Sequence, residues 1–213
     1  MVSRNTIMLT YFGIGLIGLA LALFLFWKVV FLRNPKRVAP KGDYVIAPAD
    51  GKIIEILEFD GKDVQLFKGN QRLLGIINTL TEDVAKQGYI ISIFMSPMDV
   101  HINRAPITGT VETVVHSAGK FLAVNTLEAG LVNEKAETII RGKITVKMIQ
   151  IAGFLARRVV TNVNPGSKVT AGQEVGLINL GSQVTMIIPK TVTLQVKKGD
   201  RTIAGESILA KIN

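Results

Sequence analysis

The chain has 213 residues and a formal net charge of +9, with 25 Lys or Arg against 16 Asp or Glu. It contains no cysteine, which excludes disulfides, thiol catalysis, iron–sulfur clusters and cysteine-type zinc sites, and its two histidines, His101 and His116, argue against a histidine-rich metal centre. The length suits one domain with an appendage.

The charge is unevenly spread. Residues 1–42 hold Arg4, Lys28, Arg33, Lys36, Arg37 and Lys41 and no acid. A nucleic-acid surface would interleave aromatics through a basic patch. Here a basic collar adjoins an apolar segment instead, so the partner implied is a membrane surface and not nucleic acid. No charge occurs from Asn5 to Trp27. Roughly 20 helical residues at about 1.5 Å each span a ~30 Å hydrocarbon core, so this stretch is predicted to be a membrane helix. A signal peptide would have a shorter apolar run closed by a small-residue cleavage site. This run ends in Trp27-Lys28 and the basic cluster, an interfacial anchor pattern. Lys and Arg are denser after the segment than before it, which predicts a cytoplasmic location for the remainder. Gly13, Gly15 and Gly18 leave open a kinked helix that dips into one leaflet. They also match GxGxxG, but that fingerprint needs a preceding strand, so no dinucleotide site is implied. The reading is an anchor with its basic flank over 1–39 and a catalytic domain over 40–213.

After Pro40 the texture changes to short runs rich in β-branched residues and bounded by turn formers. Lys52–Leu57, Tyr89–Met95, Thr110–Val115 and Thr191–Val196 are the clearest predicted strands. A short helical turn near Met98–Asn103 and a mobile loop over Ala129–Lys135 complete the expectation. Two internal similarities refine it. Ala47-Pro-Ala-Asp-Gly-Lys-Ile53 resembles Ala105-Pro-Ile-Thr-Gly-Thr-Val111, and Pro165–Ile178 resembles Lys198–Ile212 through a shared Gly-x-x-(Val/Thr)-x-Ala-Gly-(Gln/Glu) pattern. Duplicated tight turns leading into apolar strands imply a mainly β fold with quasi-two-fold symmetry. They look like the hammerhead turns of barrel-sandwich hybrids, which describes architecture and not chemistry.

Three residues are candidates for chemistry. Asp50 sits in Pro-Ala-Asp-Gly and reads, taken alone, as a turn aspartate. His101 lies in Ser96-Pro-Met-Asp-Val-His-Ile-Asn-Arg-Ala-Pro106, where a structurally satisfied histidine is the plain alternative. Ser182 follows Gly181 between two apolar runs. A carboxylate, an imidazole and a hydroxyl are the parts of an activated nucleophile, but nearly every protein contains all three.

Their flanking motifs carry more. Ala47-Pro-Ala-Asp-Gly51, Met95-Ser-Pro-Met-Asp-Val-His-Ile-Asn-Arg104, His116-Ser-Ala-Gly-Lys-Phe-Leu122, Gln150-Ile-Ala-Gly-Phe-Leu-Ala-Arg-Arg158 and Leu180-Gly-Ser-Gln-Val184 together resemble the phosphatidylserine decarboxylase family, most closely its short form, over residues 40–213. The resemblance implies a self-processing proenzyme that converts phosphatidylserine, or an archaeal equivalent, to phosphatidylethanolamine and CO2. Ser182 would attack the carbonyl of Gly181, the ester would break by β-elimination, and the dehydroalanine would hydrolyse to a pyruvoyl group. The products would be a β chain of 1–181 and an α chain of 182–213 that remain associated. A pyruvoyl carbonyl accepts the carbanion electrons that pyridoxal phosphate usually takes, so neither pyridoxal phosphate nor a metal is expected.

The family's triad maps onto Asp50, His101 and Ser182. His101 would also protonate the carbanion after processing. Longer members carry a second histidine where this chain has Arg104. Arg104, Lys120, Arg157 and Arg158 are the candidates for contact with a lipid headgroup, while His116 reads as structural. The partners implied are the membrane, its lipid and a second copy of the chain in a homodimer. The competing reading is a membrane-tethered adaptor or carrier domain without catalysis, for which Lys147-Met148 offers a faint lysine-attachment echo.

Overall fold

The computed structural model describes residues 4–60, 81–119, 133–153, 158–179 and 182–213. The uncharged stretch forms α1 (Arg4–Leu25), 22 residues and so about 33 Å long. Its large side chains, Leu9, Phe12, Ile17 and Leu23 among them, are exposed around the whole circumference. A helix that is apolar all round and uncovered by protein has the pattern of a membrane segment. Among the described residues it is the one helix long and apolar enough to cross.

The helix does not stop at Leu25. It passes into a π-helical turn, Phe26–Phe31, closed by Leu32 N donating to Trp27 O at 3.0 Å. Trp27 and Phe31 stack there with ring centroids 4.6 Å apart. The basic flank is then bound down along the domain. Asn34 Nδ2 donates to Glu174 Oε1 at 2.7 Å, Val38 N to Glu206 Oε1 at 3.2 Å, and Arg37 pairs with both Asp50 and Glu206. Two arginines of the basic collar, Arg33 and Arg37, thus serve the protein itself, while Lys28, Lys36 and Lys41 stay exposed.

The remaining described residues form strands. They are β1 (Tyr44–Ile46), β2 (Gly51–Asp60), β3 (Gln87–Met95), β4 (Ile102–Arg104), β5 (Gly109–Ser117), β6 (Lys135–Arg141), β7 (Thr145–Ala152), β8 (Val159–Thr161), β9 (Lys168–Val169), β10 (Glu174–Ile178), β11 (Ser182–Pro189), β12 (Val192–Leu194), β13 (Arg201–Thr202) and β14 (Ile208–Ile212). One curled sheet runs β13-β2-β3-β11-β7-β6-β5-β9, flanked by two small sheets, β1-β14-β12 and β4-β10-β8. The order is symmetric about the β11–β7 pair, and the sequence repeats explain why. Gly205 N donates to Ala47 O at 2.8 Å, and its counterpart Gly172 N donates to Ala105 O at 2.9 Å. Gly199 N to Ile53 O and Gly166 N to Val111 O match in the same way, both at 2.8 Å. The expected barrel-sandwich architecture with duplicated hammerheads is therefore the observed one.

β11 lies at the centre of this sheet and is buried over its whole length. Val45, Ile53, Ile93, Met148, Val184 and Met186 belong to one continuous core around it. Each such side chain removed from water stabilises the fold by about 1.5–3 kcal/mol. The helical turn expected near Met98–Asn103 is not formed. Asp99 N instead donates to Ser96 O at 2.9 Å in a tight turn, because the Asp99 carboxylate accepts from Ser96 N and Oγ and offers an alternative to helical bonding. The chain then enters β4. Of the loop expected over 129–135, Lys135 already begins β6, and 129–132 lie outside the described residues.

Candidate active site

Ser182 is the first residue of β11, opposite Met95 of β3 on one side and Ala152 of β7 on the other. The preceding strand, β10, belongs to a different sheet, so the connection through 179–181 carries the chain from one sheet to the other. His101 flanks that same crossing: Ile178 N, at the end of β10, donates to His101 O at 3.3 Å. Both side chains are completely buried.

The state of His101 follows from its contacts. Its Nδ1 lies 2.8 Å from the main-chain carbonyl of Asp99. A carbonyl only accepts, so Nδ1 carries the proton and Nε2 presents a bare lone pair. Nε2 is buried and has no hydrogen-bond partner among the described residues. Burial lowers the pKa from 6.5 to about 4, against the opposing pull of the Asp99 carbonyl and charge. His101 is thus neutral at physiological pH with the base-forming nitrogen unoccupied. A ring from the anchor, Phe31, covers it at a centroid distance of 4.2 Å.

Ser182 Oγ donates to Met95 Sδ at 3.3 Å, not to His101. Sulfur is a weak acceptor, so little holds the hydroxyl there. The same sulfur receives Asn103 Nδ2 at 3.9 Å. Asn103 Oδ1 accepts from Gln150 Nε2 at 2.8 Å, and Gln150 Oε1 from Thr161 Oγ1 at 3.3 Å. This line fixes both amides so that the Asn103 amino group faces the Met95–Ser182 pair. Gly176 makes room for it, since a Cβ there would meet Gln150 Nε2 at 2.8 Å and Val160 O at 2.4 Å.

Asp50 is placed differently from the expectation. Its Oδ1 accepts from Ala204 N at 2.7 Å and its Oδ2 from Arg37 at 2.9 Å, and neither oxygen touches His101. In the other repeat Thr108 Oγ1 accepts from Ala171 N at 3.0 Å. Asp50 therefore fills the hammerhead position that Thr108 fills, with a carboxylate that also holds the linker. The orienting group on His101 is the Asp99 carbonyl, and the Asp99 carboxylate is itself held by Ser96 and Arg201.

Arg104, a candidate for headgroup contact, is 7% exposed. It donates to Gly172 O at 2.9 Å and Asn34 Oδ1 at 2.8 Å and pairs with Glu174 at 3.5 Å. It clamps the linker onto a hammerhead turn. Arg158 is exposed, forms no ion pair among the described residues, and accepts from Asn179 N at 3.2 Å through its carbonyl, close to the crossing. Lys120, Arg157 and Gly181 lie outside the described residues. His116 is exposed on β5. Lys147, the echo of a carrier lysine, is 2% exposed and paired with Asp83 and Glu137, so it is not presented at a hairpin tip. Among the described residues no cluster of His, Asp and Glu is suited to a metal ion.

Sequence reasoning missed Asp99, Asn103, Gln150 and Phe31 as parts of this site. Gln150 carried a signal, being polar within the apolar run Val146–Ala152. Phe31 carried none that separates it from its apolar neighbours.

Comparison with known proteins agrees with this geometry. The pattern of the family described as phosphatidylserine decarboxylase matches residues 24–210. A phosphatidylserine decarboxylase proenzyme of Pelodictyon phaeoclathratiforme is 39% identical over 92% of this chain and 84% of its own. One from Azorhizobium caulinodans is 36% identical over 94% and 78%. A provisionally named archaetidylserine decarboxylase proenzyme of Methanocaldococcus jannaschii is 37% identical over 91% and 93%. With a family match over residues 24–210 and relatives matched over 78% to 93% of their own length, alongside a buried serine at a sheet crossing and a neutral histidine beside it, the chain belongs to the phosphatidylserine decarboxylase family.

Proposed function

We propose that this protein is a self-processing, pyruvoyl-dependent lipid decarboxylase that acts on a serine-headed phospholipid, phosphatidylserine or archaetidylserine, and releases CO2. The observation that carries the reading is the bare, buried Nε2 of His101 beside the β10–β11 crossing at whose end Ser182 lies. Relatives under both lipid names are called proenzymes, which supports cleavage as part of maturation.

In the precursor, the Ser182 hydroxyl leaves its weak contact with Met95 and gives its proton to His101 Nε2. Oγ then bonds to the Gly181 carbonyl carbon and the Gly181–Ser182 C–N bond breaks, His101 returning the proton to the departing amine, which leaves an ester. Elimination removes the Ser182 Cα proton to a base, breaks the Cβ–O bond and frees the Gly181 carboxylate; water then adds to the imine tautomer of the dehydroalanine and ammonia leaves. The surroundings fit the resulting pyruvoyl group: a fully buried strand end, an unpartnered ring nitrogen, and the Asn103 amide turned toward Ser182 by Gln150. When present, that group supplies a carbonyl able to take up the electron pair left by departing CO2. His101 Nε2, holding a proton, returns it to the substrate carbon. Arg104 is committed to the linker, so the single histidine serves both stages. Asp50 acts as a positioning residue through the hammerhead turn and Arg37. Arg158 is the described cation free to meet the headgroup phosphate, with Lys120 and Arg157 as further candidates. The α and β products stay together because β11 is hydrogen-bonded on both sides to strands of the other fragment.

The apolar helix holds the domain at the membrane, and the basic flank favours the cytoplasmic face. A homodimer is part of this reading. The test is release of CO2 from carboxyl-labelled phosphatidylserine in mixed vesicles. Wild-type protein is expected to release it, and Ser182→Ala to fall by at least about 1000-fold. Equal rates would contradict the reading.

A further inference from the structure

The membrane anchor and the catalytic histidine meet at one residue. Phe31 is 0% exposed, although it follows a helix whose large side chains from Met8 to Leu25 are open to the outside. Its ring lies over His101 on one side and stacks on Trp27 on the other. Arg33, two residues on, donates to Val30 O at 2.7 Å and to Met98 O, which ties the end of the anchor to the loop that carries His101. Val29, in the same π-helical turn, and Met98, whose carbonyl Arg33 holds, are exposed at 66% and 61%. The groups facing His101 are Asp99 on its own loop, Arg33 from the linker and Phe31 from the π-helical turn.

Two features mark the cover as removable. A permanent lid would leave Nε2 sealed without a partner among the described residues, which is unfavourable for a buried polar atom, and would bar any substrate. The cover is also delivered by a π-helical turn, a rare conformation that is frequent at functional sites. We propose that Phe31 is a positioning residue of the active site, a roof over His101 that the lipid headgroup displaces as it enters between the anchor and the Ser96–His101 loop. Substrate then arrives from the membrane side, and a vacant site stays closed to water. The identity of the entering lipid rests on the decarboxylase reading; the roof itself does not.

The composition of the chain makes the test direct. Trp27 is the only tryptophan and touches Phe31, while His116 is an exposed histidine that serves as an internal reference. The Ser182→Ala chain, which keeps the precursor intact, is reconstituted in phosphatidylcholine vesicles. Adding phosphatidylserine is expected to shift Trp27 emission saturably, whereas phosphatidylglycerol, which lacks the amine and carboxylate, leaves it unchanged. Identical responses to the two lipids would overturn headgroup displacement. In a second arm, diethyl pyrocarbonate labelling at pH 7 is read by mass spectrometry without phosphatidylserine. His101 is neutral at that pH, so protection reports cover and not protonation. His101 should react about 100-fold more slowly than His116. Phe31→Ala should abolish most of that difference, and Phe31→Trp should restore it. Phe31→Leu, which keeps more of the packing, should give intermediate labelling and replaces Phe31→Ala if that variant unfolds. Unchanged protection in a folded variant would overturn the roof. Neither arm depends on cleavage or CO2 release, so a failed decarboxylase assay together with His101 labelling that depends on the side chain at position 31 would sink the function and leave the roof standing.

Discussion

His101 differs from Ser182 in how it is held: one nitrogen is tied to the Asp99 carbonyl, the other is free, and burial keeps the ring neutral down to about pH 4. The consequence for stability has a definite sign. The unfolded chain takes up a proton near pH 6.5 and the folded chain only near 4, so stability falls as the pH drops through that window. The shift corresponds to about 3 kcal/mol. In the Ser182→Ala background, His101→Gln should lose about that much less stability than its parent between pH 7 and 4, measured by urea unfolding. An identical loss in both chains would show that the ring is not buried as a neutral group. At this scale the sequence was a partial guide. Ser182 and His101 stand out because their neighbours form distinctive motifs. The placement of Asp50 does not, since a turn acceptor and an orienting acid look alike until Thr108 is seen holding Ala171 N as Asp50 holds Ala204 N.

The element that organises the fold is the hammerhead turn, present twice. Gly166 and Gly199 open equivalent turns at φ +89° and +98°, and a Cβ at either would find open space within 4 Å. Left-handed backbone strain is then the whole effect of substitution. Gly166→Ala and Gly199→Ala should each cost about 1–2 kcal/mol, and the two costs should agree closely. Calorimetry or urea midpoints on the single variants check this, and a large inequality would argue against the equivalence of the two halves. These turns were readable because Gly, Ala-Gly and Ala-Pro recur at fixed spacing. Strands over 52–57, 89–95 and 110–115 were readable from β-branched alternation. The helical turn expected near Met98–Asn103 gives way to a tight turn over Ser96–Asp99 because a side-chain carboxylate, not the local pattern, decides where the N–H groups bond.

For the molecule as a whole, sequence gave the parts and structure gave their arrangement. An apolar helix, a basic flank and a β domain were evident from charge and hydropathy. That the flank is fastened to the hammerheads by Arg37 and Arg104, and that the anchor ends on His101, depends on contacts as far apart in sequence as Arg37 and Glu206, which no local pattern encodes. Under the proposed function this arrangement joins the membrane anchor to the reaction centre, and β11 has to remain in the sheet after its first peptide bond is cut. The central claim is that cut. Intact mass measurement of the purified wild-type protein tests it most directly. The account predicts two species of about 20 and 3.5 kDa from the 23.1 kDa chain, the smaller about 17 Da lighter than residues 182–213 with an ordinary amino-terminal serine, because ammonia has left. A single uncut chain that still decarboxylates, or a small fragment retaining its serine amine, would contradict it.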